Sequence, residues 1–261
     1  MTTGQRKRWW GRRGLLSGLV GAALAAGGGS AIGVALASQQ HAPRPSRAAA
    51  GTIGPGPRAI RSKTGAKVAG NGAFPAPPTT EDPASPSAAA VHGPSLTRSQ
   101  PVAIDIPAID VQSKIFDVGL NSDGTIQVPP LDNSPLTNEA AWYEYSPTPG
   151  QIGPSIIEGH IDSAAQGPSV FFRLGALGPG DKVYVTLADG EVAVFEVSGV
   201  RQYPKDAFPT LTVYGNVGYA GLRLITCGGQ FDYATHHYSS NTVVFASLVS
   251  SHPASRGALR G

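Results

Sequence analysis

The chain has one cysteine and one methionine in 261 residues, and only 14% of its side chains are charged. A lone cysteine excludes an intramolecular disulfide, so any folded part must be held by its core. It also argues against a structural zinc site, which takes several Cys and His at close spacing; here only His236 and His237 cluster. Acidic residues are nearly missing from positions 1–100, which carry twelve Lys/Arg against two Asp/Glu, a balance of +10. Positions 101–261 carry eight Lys/Arg against fifteen Asp/Glu, a balance of −7. The pI of 9.1 therefore describes the N-terminal part, and the basic face a nucleic-acid partner needs is absent from the rest. Large apolar side chains are also scarce over the first hundred positions, where Gly and Pro concentrate.

What is there divides the chain into four. Residues 1–40 hold five basic side chains (Arg6, Lys7, Arg8, Arg12, Arg13) and then an uncharged run from Gly14 to Gln40. That run exceeds the roughly 20 residues a bilayer requires, and the charge bias predicts a cytoplasmic N-terminus. It reads either as a retained anchor or as a signal segment cut after Ala35-Leu36-Ala37. Both readings put the remainder outside the cytoplasm: at the cell membrane on a single span, or secreted if the segment is cleaved. Residues 41–100 are rich in Pro, Ala, Gly and Ser, with little to bury, and read as a disordered, partly extended spacer. Residues 101–250 carry the folding pattern, and 251–261 read as a frayed tail.

Within 101–250 the period is that of strands. Val102, Ile104 and Ile106 alternate with Ala103 and Asp105. Lys114–Leu120 and Thr125–Val128 flank a turn at Asn121–Gly124, which predicts a hairpin. Ser155–Ile161 reads as a strand carrying His160, and Ser169–Leu177 as a short helix. KVYVTL and EVAVFEV alternate about Asp189-Gly190, a hairpin turn pair. A proline-punctuated loop leads to two last strands, Leu222–Thr226 and Thr242–Ala246. Seven or eight short strands, one or two short helices and no βαβ rhythm predict a mostly-β barrel or sandwich.

Chemistry concentrates at Cys227, which ends the run Leu222–Thr226 and is followed at once by Gly228 and Gly229. A lone cysteine often serves only as a small buried hydrophobe. A thiol is mostly protonated at neutral pH and becomes an acyl-transfer nucleophile when an imidazole takes its proton. The folded part holds three histidines, His160, His236 and His237, and His160 is the one on a predicted strand.

These residues resemble the sortases, cysteine transpeptidases of Gram-positive bacteria. ITCGG at 225–229 is similar to the family's nucleophile strand and GHID at 159–162 to its histidine strand. VFFRLGALGPGDKV at 170–183, VGLNSDGTIQVPP, WYEYSPTPGQIGP and NTVVFA match in order. The GHID and TCGG forms look closest to the class E/F sortases of actinobacteria, class F in particular. The resemblance implies a closed sortase-type β-barrel and no required cofactor. It implies that Cys227 attacks the Thr–Gly bond of an LPxTG-like sorting motif on exported proteins, with His160 as general acid and base. A thioester would then pass to an amine acceptor, a cell-wall precursor or a pilin lysine, or to water. Thr226 resembles a family threonine that shapes the substrate site. Where sortases carry an arginine on the strand after the nucleophile, alignment from the closing VVFA gives Asn241. Asn241 is therefore the candidate oxyanion or substrate-positioning residue, and Arg173 and Arg223 are candidate substitutes. Asp162 reads either as a third member of a Cys-His-Asp set or as a turn carboxylate. Without an arginine, a degenerate sortase-fold peptide-binding module is the alternative function. An L,D-transpeptidase fits poorly, because its Ser-His-Gly-Cys context is absent around Cys227.

Overall fold

The computed structural model describes residues 41–51, 93–132 and 134–255. The basic N-terminus, the uncharged run at 14–40, most of the spacer and the end of the tail lie outside the described residues. Among the described residues no helix is long and apolar enough to cross a membrane.

Ten strands follow in chain order: β1 Pro101–Ile106, β2 Val111–Val118, β3 Ala140–Tyr143, β4 Gly153–Glu158, β5 Asp162–Ser163, β6 Gly167–Pro168, β7 Lys182–Leu187, β8 Glu191–Pro204, β9 Ala220–Asp232 and β10 His237–Pro253. Eight close into a barrel in the order β1-β2-β3-β4-β9-β10-β8-β7, while β5 and β6 form a separate two-stranded ribbon. Closure leaves the barrel without a free sheet edge. The pairs β2–β3 and β4–β9 are parallel and the other barrel pairs antiparallel.

Strand alternation sorts side chains into two apolar clusters. Ile104, Ile106, Trp142, Ile157, Phe195, Leu224 and Val244 belong to the cluster inside the barrel. Tyr143, Ile156, Ile225, Val243 and Phe245, one residue out of phase on the same strands, pack outside it with Val213 and Tyr214. The last two come from α1 (Thr210–Tyr214), the one α-helix among the described residues, which lies in the stretch that reads as a loop. Its five residues are too few to show a helical period, and its position is set by burial of Val213 and Tyr214.

Other departures from the sequence pattern have local causes. Val102 is exposed, because the β1–β7 register shifts between Pro101 and Ala103, and a shift of one residue exchanges the faces. The turn at Asn121 forms, with Gly124 at φ +80°. Only the single bridge Leu120↔Ile126 follows it, so the expected hairpin is not a ladder. Ser169–Leu177 is a series of turns ending in the 3-10 segment Leu174–Ala176 rather than a helix, with Phe171 and Leu174 fully buried as anchors. β10 runs on to Pro253, paired with Glu191, so the tail begins as strand.

The spacer also differs at its described ends. Residues 41–51 lie against the domain: Ala49 joins the inner cluster, and Arg201 Nη2 donates to Gly51 O at 3.1 Å. Two glycines make room for it, since a Cβ on Gly175 would sit 2.0 Å from Pro43 O and one on Gly199 2.7 Å from Ala50 O.

Candidate active site

β4 and β9 run parallel with Glu158 opposite Ile225, and Gly159 N donates to Ile225 O at 3.2 Å. Two residues further on in each segment stand His160, just past the end of β4, and Cys227 on β9, so the register sets both at the same end of the strand pair. On the other side of β9, Asn241 is paired with Cys227, and Tyr203 of β8 with Asn241. Cys227, Asn241 and Tyr203 thus form one row across three strands, with His160 just past the end of β4 on the far side of β9. Cys227 shares the face of Ile225 and Val243, outside the barrel. Thr226 is paired with Thr242 on the opposite face and is buried.

The two glycines after Cys227 have separate reasons. Gly229 adopts φ +84°, and a Cβ there would lie 2.5 Å from Ser239 Oγ. It sits where the β9–β10 register shifts, between Tyr238 and Ser240. A Cβ on Gly228 would meet Thr242 Oγ1 at 2.6 Å.

His160 is half-buried, with Nε2 2.7 Å from Pro129 O. A carbonyl only accepts, so Nε2 carries the proton and Nδ1 is the basic nitrogen. Burial holds the imidazole below its ordinary 6.5, against the hydrogen bond to Pro129 and the charge of Asp162, which both raise it. Burial pushes the Cys227 thiol up from 9.0; Lys205 pulls it down, and Glu158 and Asp162 push it further up. At neutral pH the resting pair is therefore a thiol and a neutral imidazole.

Three groups escape sequence reasoning. Lys205, in the 3-10 segment Lys205–Ala207 that follows β8, places Nζ 3.6 Å from Cys227 Sγ. It precedes the cysteine by 22 residues in a stretch with no motif, and only β8's pairing with β10 brings it there. Glu158 is fully buried with both carboxyl oxygens unpartnered, and burial raises its pKa well above 4.5. An acid in SIIEGHI, two positions before the histidine and on its face of the strand, was a signal available in the sequence. Tyr238 donates from its hydroxyl to Asp162 Oδ2. Asp162 is therefore held by a tyrosine and influences His160 through its charge.

The candidate substitutes for an arginine lie elsewhere. Arg173 pairs with Asp110 at 2.7 Å, both side chains largely exposed. Arg223 is 1% exposed, donates to Leu222 O and Tyr219 Oη, and covers the Phe245 ring at 4.7 Å. Asn241 is buried, its Oδ1 unpartnered. His236 ends the β9–β10 turn and His237 opens β10, and no group of three or more metal-ligating side chains forms among the described residues.

A profile of the sortase domain matches residues 104–249. No curated protein matches the sequence. Among solved structures, sortase A of Listeria monocytogenes is similar at 18% identity, covering 60% of this chain and 92% of that one, with a TM-score of 0.45. A lid mutant of sortase A from Corynebacterium diphtheriae is 23% identical over 59% of this chain and 73% of its own, TM-score 0.42. Sortase C-1 of Actinomyces oris is 24% identical over 58% and 76%, TM-score 0.43.

Proposed function

This chain belongs to the sortase family and is on that ground a cysteine transpeptidase; we propose that it cleaves an LPxTG-like sorting motif and transfers the acyl part to an amine at the cell surface. The observation that carries this reading is the β4–β9 register, whose last pair, Glu158 and Ile225, stands two residues before His160 and Cys227 in turn. In the proposed step the thiol proton moves to His160 Nδ1 as the sulfur lone pair bonds to the scissile carbonyl carbon. The carbonyl π pair moves onto oxygen. Collapse of that oxyanion expels the glycine amine, which takes the proton from His160 and leaves a Cys227 thioester. Attack by the acceptor amine or by water reverses the sequence. Asn241, buried and paired with Cys227, is the proposed neutral donor to the oxyanion or the bound peptide.

The GHID and TCGG forms support placement among class F sortases of actinobacteria. The charge pattern of residues 1–40 supports a membrane tether with the catalytic domain outside the cytoplasm, or a secreted form after cleavage. The acceptor is proposed as a cell-wall precursor or pilin lysine.

The test is incubation of the purified chain with an LPxTG peptide, with and without an amine acceptor, followed by intact mass. The expected result is a mass gain by the acyl fragment on Cys227 and loss of all turnover in Cys227→Ala. Undiminished cleavage in that variant, or peptide binding with no covalent adduct, overturns the reading, the second outcome in favour of a non-catalytic peptide-binding module.

A further inference from the structure

We infer that Lys205 supplies the positive charge of the catalytic centre, its ammonium facing first the Cys227 sulfur and then the oxyanion formed two covalent bonds from it. The inference rests on the transpeptidase reading only for the oxyanion; the sulfur contact is independent of substrate.

The geometry carries it. β8 ends at Pro204, opposite Ser240 of β10, and Ser240 is also paired with Gly228 of β9. The chain then turns through Lys205–Ala207 against β10. Lys205 thus leaves the sheet beside the residue that follows Cys227, and its stem carries Nζ to 3.6 Å from Sγ. Among the described residues Lys205 makes no ion pair with a carboxylate, so its charge is not spent on a neighbour. The position opposite Cys227 is a neutral amide, Asn241, and Arg173 and Arg223 are committed to Asp110 and to the β9 backbone and Tyr219.

The other titratable groups around the thiol oppose a thiolate. Glu158 comes from β4, Asp162 from β5 and Tyr238 from β10, while His160, just past β4, is the proton acceptor of the proposed step. Glu158 and Asp162 disfavour negative charge on sulfur, and Lys205 is the one side chain acting in the other direction. In the proposed step His160 moves the proton, and Lys205 faces the charge on sulfur and then on oxygen. It makes one charged contact where arginine would make a forked pair.

The test uses the fact that the chain has a single cysteine, so iodoacetamide reports Cys227 alone. Alkylation rates across pH are compared for the full chain, Lys205→Met and Lys205→Arg. Lys205 is half-buried in a short turn, and circular dichroism verifies that the variants fold. Lys205→Met is expected to move the alkylation profile to higher pH and slow the reaction at pH 7 by about tenfold, the effect of one unit. Lys205→Arg is expected to restore most of it. Cleavage of an LPxTG peptide is expected to fall by about 10²-fold in kcat/KM in the methionine variant. A shifted alkylation profile in a protein inert to the peptide upholds the lysine's charge role and counts against the substrate reading. An unshifted profile in Lys205→Met overturns the inference, whatever the peptide does.

Discussion

The hydroxyl of Tyr238, at the start of β10, donates a hydrogen bond to the carboxylate of Asp162, just past His160. The bond ties together the two chain segments that flank Cys227. It also draws negative charge off Asp162, which is one of the two groups raising the otherwise depressed imidazole of His160. Removing the hydroxyl leaves that carboxylate a stronger neighbour. The acidic limb of kcat/KM, which reports the free enzyme, is expected to move to higher pH in Tyr238→Phe and to lower pH in Asp162→Asn. Stability of Tyr238→Phe should fall by about 1.5–3 kcal/mol for the lost charged hydrogen bond. A pH–rate series on the three proteins checks the opposed directions; shifts of the same sign would refute the coupling.

Glu158 contributes a stability that depends on pH in the sense opposite to a salt-bridged acid. Burial raises its folded pKa well above 4.5, so ionisation is harder in the folded state than in the unfolded chain. Its cost is absent below the unfolded value and grows as pH rises through and beyond that value, until the folded group itself ionises. Glu158→Gln keeps the shape and cannot ionise. Its melting temperature is expected to exceed that of the parent at pH 8 by about 2–6 °C, for a gain of about 1–2 kcal/mol. The advantage should vanish near pH 4. Thermal melts across pH read this directly; an advantage that does not vary with pH would mean Glu158 is not the titrating group.

Docking of residues 41–51 predicts a non-additive pair of changes. Gly175→Ala drives a Cβ toward Pro43 O and is expected to cost about 1–2 kcal/mol in the full chain, the usual scale of overpacking. In a chain beginning at residue 52 the three nearest atoms, all of Pro43 and Pro45, are gone, and the same substitution should cost less than about 0.5 kcal/mol. Urea unfolding of the four proteins closes the cycle. Equal costs in both backgrounds would place the strain somewhere other than Pro43.

Much was legible from residue order. Strict alternation in KVYVTL marks β7, because a half-buried strand must alternate, and the β-rich EVAVFEV marks β8, whose residues 192–195 are buried on both faces. Asp189-Gly190 marks their turn, with Gly190 at φ +89°. Helical turns were misread for the same reason that strands were not. Ser169–Leu177 is apolar enough for a helix but is pinned by Phe171 and Leu174 into turns, and Thr210–Tyr214 is too short to show its period.

The sequence by itself determined the chemistry: a single thiol before two glycines, one histidine at the end of an early apolar run, and a β pattern able to close. Only the tertiary structure decided the company these groups keep. Pairing across β4, β9, β10 and β8 joins residues dozens of positions apart. That pairing sets Asn241 opposite Cys227, sends Arg223 beneath Phe245, and turns Lys205 toward the sulfur. Local patterns reach only a few residues along the chain, whereas the charge on a catalytic sulfur is set by whatever lies within a few ångströms in space.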